Sequence, residues 1–252
     1  MSARSPLALV AGAGYLGRGF GLMWRPGIRA FVLVPLLINI AVAVGLFVWA
    51  WPLLESAVAG WLALLPEWLA WLAFLVWPIV WLLAVLLFCF ALTILANLVG
   101  APFNGFLAAR VEQQLTGIPP DSGLTVGQEA VQGLLMELRK LLFFVSRAIP
   151  LALLSLLLFF LPGLNALIPL LWLAFGAYML AFEYIDYPAS NHALSFARKR
   201  ELLARYRGLS LGFGTVVTLL SAVPMANLLV MPAAVAGATA LWVEHLAKEK
   251  QA

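Results

Sequence analysis

Charge is what this sequence has least of. Only 10% of its 252 residues are Asp, Glu, Lys or Arg, while 64% are hydrophobic. A water-soluble domain carries about 25% charged and 45–50% apolar residues, so an ordinary soluble domain is excluded. Cysteine is nearly missing too. Cys89 stands alone inside an apolar run, which rules out an intrachain disulfide and marks it as a small packing residue. His192 and His245 lie far apart, without His-x-x-x-His or cysteine partners, so no metal site is expected and His192 reads as structural. Gly-x-x-x-x-Gly-Lys-[Ser/Thr] is absent, leaving no ATP phosphate loop, and no pairing of a nucleophile with a base is legible. No acidic residue precedes Glu55. Gly12-Ala-Gly-Tyr-Leu-Gly17 therefore lacks the acid about 20 positions on that a dinucleotide fingerprint needs, and its glycines read as close helix packing. Neither an enzyme nor a cofactor is expected.

What the chain has is apolar length. Arg29 and Glu55 bracket the uncharged run 30–54, roughly 37 Å of helix against a hydrocarbon core of about 30 Å. Glu67 and Arg110 bracket a second run, read as a crossing over 68–96. The following Asn97-Leu-Val-Gly-Ala-Pro-Phe-Asn-Gly105 reads as a break, since glycine, proline and asparagine oppose a helix interior. The segment between the crossings holds Glu55 and Glu67 without Lys or Arg, whereas Arg4, Arg18, Arg25 and Arg29 precede them and Arg110, Arg139, Lys140 and Arg147 follow. The positive-inside rule puts the N-terminus and 110–147 in the cytoplasm. It also accounts for the net charge of +4 without nucleic acid. The stretch around Leu7–Ala13 is short and glycine-rich, with Arg18 beyond. It reads as an amphipathic helix lying on the membrane rather than a leader.

Two further uncharged runs, 148–182 and 208–243, have basic residues on both flanks. Pro162-Gly163 interrupts the first, and Pro224 and Pro232 the second. Helix 148–161 would be about 21 Å long, too short to span. Both runs read as helical hairpins that enter the membrane and return, with two short tilted crossings per run as the alternative. The segments 110–147 and 183–207 read as an amphipathic cytoplasmic helical head, and Gly117-Ile-Pro-Pro-Asp-Ser-Gly123 as a loop. The fold expected is thus one all-α integral membrane domain over 1–252: two transmembrane helices, two partially penetrating hairpins and a polar head.

Three polar clusters stand out. In Trp24-Arg-Pro-Gly-Ile-Arg29, Pro26 suits a first helical position. That would leave the amides of Gly27, Ile28 and Arg29 free at a positive helix end, with Arg25 and Arg29 adding forked donors for a tetrahedral oxyanion. The same arginines also fit plain membrane anchors. Asn97, Asn104 and Arg110 form a second cluster, a candidate polar pathway. Glu183 and Asp186, three apart on one helix face, form the third; they are pathway candidates as well, but read first as salt-bridge partners for Arg110 or Arg147, because acids in an anion path would repel it.

Over nearly its whole length the chain resembles the CysZ family of bacterial sulfate permeases. The resemblance is carried by Pro26-Gly-Ile-Arg29, Asn97-Leu-Val-Gly-Ala-Pro-Phe-Asn104, and Glu183-Tyr-Ile-Asp-Tyr-Pro188 followed by His192. It implies sulfate uptake across the inner membrane for cysteine synthesis, two transmembrane helices with two half-penetrating helix pairs, and a homo-oligomer. It also implies a sulfate site at a Gly-Leu-Arg motif, here Gly27-Ile28-Arg29. The family's second arginine follows directly; here Ala30 does, and Arg25 lies upstream. The rival readings are a lipid-modifying membrane enzyme, for which clustered His, Asp or Ser are missing, and a structural or assembly protein with no transported substrate.

Overall fold

The computed structural model describes residues 6–247 except 65 and 70; the side chains of 6, 73, 93–99, 101, 102, 126, 130, 224 and 225 lie outside the description. Every regular element among the described residues is helical. Among the described residues, five helices are long and apolar enough to cross a membrane: Ala30–Leu62, Phe74–Leu92, Gly127–Phe159, Leu164–Ser190 and Ala226–Leu246. The chain divides into two compact units, Ala30–Phe103 and the described residues of Met1–Arg29 with Asn104–Ala252.

The Ala30–Phe103 unit holds α2 (Ala30–Leu62), a short 3-10 turn at Glu67–Leu69 and most of α3 (Leu72–Thr116). Trp51 meets Trp81 with ring centroids 4.4 Å apart, and Phe47 meets Phe88 at 6.1 Å. The later residue of α2 meets the earlier one of α3, so the helices run antiparallel. The sequence predicts a break at Asn97–Gly105, but α3 runs through it. A proline removes one backbone donor, whereas ending a helix leaves a whole turn of amides or carbonyls without intrahelical partners. Continuity is the smaller loss.

The larger unit contains α1 (Pro6–Met23), the end of α3, α4 (Val126–Phe159), α5 (Leu167–Ser190), α6 (Phe196–Arg205), α7 (Arg207–Ser221) and α8 (Pro224–Leu241). The last runs into a π turn at Trp242–Leu246. α1 packs against α7 and α8. Glycine makes this possible. A Cβ at Gly12 would strike the Leu209 carbonyl and one at Gly212 the Leu9 carbonyl, joining α1 to α7. Gly19 meets Ala233 and Gly237 meets Tyr15 in the same way, joining α1 to α8, and Gly214 meets Ala177, joining α7 to α5. Backbones this close gain dispersion contacts, which replace the hydrophobic effect as the cohesive term in lipid. Phe182, Phe213 and Trp242 are buried at this junction.

Both broken apolar runs turn back on themselves. α4 and α5 are joined through Gly163, whose φ of +84° suits glycine. The two helices are tied by Trp172 Nε1 donating to Ser155 Oγ at 3.0 Å and by Phe144 edge-on to Phe175 and Phe182. α7 and α8 are joined at 222–223, with Pro224 opening α8. Pro232, expected to interrupt the second run, lies inside α8, as Pro150 lies inside α4. Helix boundaries also ignore charge, since α4 passes from the polar segment through Arg147 without a stop.

Candidate anion site

The turn from α1 to α2 is closed before α2 begins. The Ile28 and Arg29 amides both donate to the Arg25 carbonyl, at 3.0 and 3.1 Å, and the Arg25 amide donates to Leu22 O at 3.0 Å. Gly27 sits at φ +82°, a left-handed conformation that reverses the chain at low cost only for glycine. The Ile28 side chain is fully buried and pins the turn. Hence Pro26 does not open the helix, and two of the three amides expected to be free for an anion are already used. The guanidinium groups remain.

Arg110 supplies the third. Its Nη2 lies 3.5 Å and its Nε 3.8 Å from where a Gly27 Cβ would stand, and Gln114 Nε2 is 3.3 Å from the same point. Gln114 Nε2 donates to the Pro26 carbonyl at 2.7 Å, and Arg110 Nη1 to Gln113 Oε1 at 2.6 Å. The end of α3 is thereby fastened to the turn. Arg25, Arg29 and Arg110 are all exposed, and among the described residues no carboxylate lies within 4.0 Å of any of them. Three arginines without a counter-charge at this turn form an attractive field for an oxyanion.

Asn104 does not share this site. It is buried and donates from Nδ2 to the Tyr187 hydroxyl at 3.2 Å, while Asn191 Nδ2 donates to the Gly105 carbonyl at 3.3 Å. Asn104 and Arg110 are six residues apart, about 120° around the helix from each other at 3.6 residues per turn, so they face different neighbours. The Asn97 side chain lies outside the described residues.

Glu183 and Asp186 form salt bridges, but with lysines rather than with Arg110 or Arg147. Lys140 Nζ lies 2.7 Å from Glu183, 3.4 Å from Asp186 and 2.7 Å from Glu137. Lys199 Nζ contacts Asp186 Oδ1 at 2.5 Å and Ser190 Oγ at 2.7 Å. Lys140, Lys199 and Asp186 are all buried. Burial pulls the Lys199 ammonium below the usual lysine range, and the Asp186 carboxylate draws it back up. Arg147 misses this network because it lies seven residues, about 10 Å, beyond Lys140 along α4, with its guanidinium over the Phe143 ring at 5.3 Å. The network clamps α4, α5 and α6 together.

Two more polar contacts close the same unit. Glu244 accepts from the Tyr15 hydroxyl at 2.7 Å and from both terminal nitrogens of Arg18, while His245 Nε2 lies 2.9 Å from the Tyr15 hydroxyl. Burial, then Glu244, pushes the Tyr15 hydroxyl above its ordinary range, so it stays a donor. His192 Nε2 meets Glu112 Oε1 at 2.7 Å, and its ring stacks on Trp242. Sequence reasoning missed Tyr15, Arg18, Glu112, Lys140 and Lys199. Only Lys140 carried a local signal, standing three residues after Glu137 on one helix face. The described residues contain no cluster of three His, Cys, Asp or Glu able to hold a metal.

The family model described as sulfate transporter CysZ/etoposide-induced protein 2.4 matches residues 15–232. The sulfate transporter CysZ of Pectobacterium atrosepticum is 41% identical over 93% of this chain and 85% of its own length. The one from Salmonella typhimurium is 40% identical over 93% of this chain and 92% of its own, and that of Pseudomonas fluorescens 41% over 97% of both. With its five long apolar helices, this is a multi-pass bacterial membrane protein. The chain belongs to the sulfate transporter CysZ/etoposide-induced protein 2.4 family.

Proposed function

We propose that the protein is a sulfate permease of the bacterial inner membrane, a transporter rather than an enzyme, feeding cysteine synthesis. One observation carries the reading: Arg110 is packed onto the Gly27 turn beside Arg25 and Arg29, with no carboxylate within ion-pair distance among the described residues. Sulfate is a tetrahedral dianion, matched by forked guanidinium donors. The side chains of Arg25, Arg29 and Arg110 capture it at the mouth. Glu183 and Asp186 are neutralised by Lys140 and Lys199 and so do not oppose its entry. Bare passage of a dianion through hydrocarbon is prohibitive, so the path beyond must be hydrated or lined with donors. With no ATP phosphate loop in the sequence, transport runs down a gradient or is coupled to one. The reading includes a homo-oligomer, because one copy is too small to enclose such a path.

The test is radiolabelled sulfate uptake into liposomes holding the purified protein, compared with Arg29→Ala and Arg110→Ala. Each substitution is expected to weaken apparent sulfate affinity about tenfold or more, given roughly 1.5–3 kcal/mol for a hydrogen bond to a charged group. Uptake no faster than in empty liposomes sinks the permease reading. Normal uptake in both variants sinks the site alone.

A further inference from the structure

A groove of 660 Å³ lies between α4, α5 and α6, on a part of the larger unit that the anion site does not use. Its lining combines aromatic residues, Phe143, Phe175 and Tyr178, with the basic Arg147 and Arg200. Arg200 holds its guanidinium 4.8 Å above the Phe143 ring, and Arg147 lies 5.3 Å from the same ring. Two cations therefore share one ring, which offsets part of their mutual repulsion. Among the described residues, no carboxylate lies within 4.0 Å of either arginine. Glu201 also lines the groove, but its carboxylate is taken by Arg198 at 2.8 Å.

The groove stands where the apolar hairpin of α4 and α5 begins. Beyond Arg147, α4 continues for 12 residues to Phe159, about 18 Å, a little more than the roughly 15 Å depth of one leaflet's hydrocarbon. Ile149, Leu153, Leu156, Leu157 and Phe159 along that length are exposed. A ligand that fits both parts has an anionic head with hydrogen-bond acceptors and long apolar tails.

We infer that the Phe143–Tyr178–Arg147–Arg200 groove is a binding site for the phosphate headgroup of an anionic phospholipid, whose acyl chains lie along the α4–α5 hairpin. A basic pocket between membrane helices is the known physical form of such sites. The guanidinium groups take the phosphate oxygens through paired N–H donors, Tyr178 adds a hydroxyl, and the rings supply the aromatic surface favoured at the interface. The inference stands independently of sulfate transport.

The test is native mass spectrometry of the full-length protein in detergent, titrated with phosphatidylglycerol or with phosphatidylcholine. Phosphatidylglycerol should bind at least about tenfold more tightly, and the preference should vanish in the Arg147→Gln/Arg200→Gln double variant. Helix content by circular dichroism and elution volume should be unchanged. Should the double variant not fold, Arg200→Gln alone, at an exposed position on the short helix α6, should still reduce the preference several-fold. Equal binding of the two lipids, or unchanged phosphatidylglycerol binding in the variants, overturns the site. Equal protection against heat by inorganic phosphate alone would make it a free-anion site and overturn the lipid assignment. Loss of the oligomer with lipid binding intact would make the groove a contact between copies, which also overturns it.

Discussion

The two hairpins have similar lengths of apolar sequence and opposite fates. In the window Ala226–Leu246, which covers α8, 67% of the residues are buried within the chain; for the windows in α4 and α5 the shares are 6% and 11%. Hydrophobicity does not separate them, since the buried helix has the lower hydropathy, 1.6 against 2.3 and 1.8. Side-chain size does. α8 carries Ala233, Ala234, Ala236, Gly237, Ala238 and Ala240, which let α1 approach its backbone. The outer part of α4 carries Leu153, Leu156, Leu157 and Phe159, which hold neighbours away. In lipid a leucine gains nothing from leaving solvent for another helix, so burial follows close fit rather than apolarity.

The comparison breaks most sharply where the exposed hairpin is joined to the buried core. Lys199 is 2% exposed and holds Asp186, whose other oxygen lies 3.4 Å from Lys140. Lys199→Met leaves that carboxylate one cation short in a buried place. Loss of one partner of a buried pair costs about 3–5 kcal/mol. A clear fall in Tm by scanning fluorimetry in detergent is expected, together with faster proteolysis of the α4–α5 hairpin. An unchanged Tm would show that the network does not clamp α4, α5 and α6.

Next in size is close packing itself. At Gly19 a Cβ would strike the Ala233 carbonyl, so Gly19→Ala must push α1 off α8. Overpacking of this kind costs about 1–3 kcal/mol. Gly17, two residues earlier, has nothing within 4 Å of its would-be Cβ, so Gly17→Ala should leave Tm unchanged or slightly raised, alanine being the better helix former. The pair is read by Tm in the same detergent; equal effects would end the small-residue explanation.

These positions also mark what the sequence could and could not disclose. Glycine density near the N-terminus pointed to close packing, and Gly12 and Gly19 provide it, yet Gly14 and Gly17 in the same run touch nothing across the interface. Spacing alone does not say which glycine faces the partner. The membrane class was plain, because a deficit of charge is a property of the whole chain. The break expected at Asn97–Gly105 did not occur, because local residue propensities are a weak prior that the surrounding helix overrides. At the anion site, Arg25, Gly27 and Arg29 were legible as neighbours along the chain. The arrival of Arg110 at Gly27 was not, since 83 residues separate them and no periodicity spans that distance. The acids at 183 and 186 were read correctly as ion-pair partners and matched to the wrong cations, for the same reason.

The smallest expected effect carries the most information about assembly. Leu157 is 61% exposed on the outer face of α4. If only lipid covers it, Leu157→Ala exchanges one lipid contact for another, and stability should change by no more than about 0.5 kcal/mol. Leu241, at the end of α8, is fully buried, and Leu241→Ala should cost about 2–5 kcal/mol through the cavity it leaves. Measured in liposomes at high protein density, the contrast should persist if the α4–α5 hairpin is a lipid-facing surface. If a second copy packs on that face, Leu157→Ala should lower stability at high density and lose its effect on dilution into excess lipid, because only an association equilibrium depends on concentration. The dilution series therefore separates a lipid coat from a subunit interface on the very surface that the chain leaves uncovered.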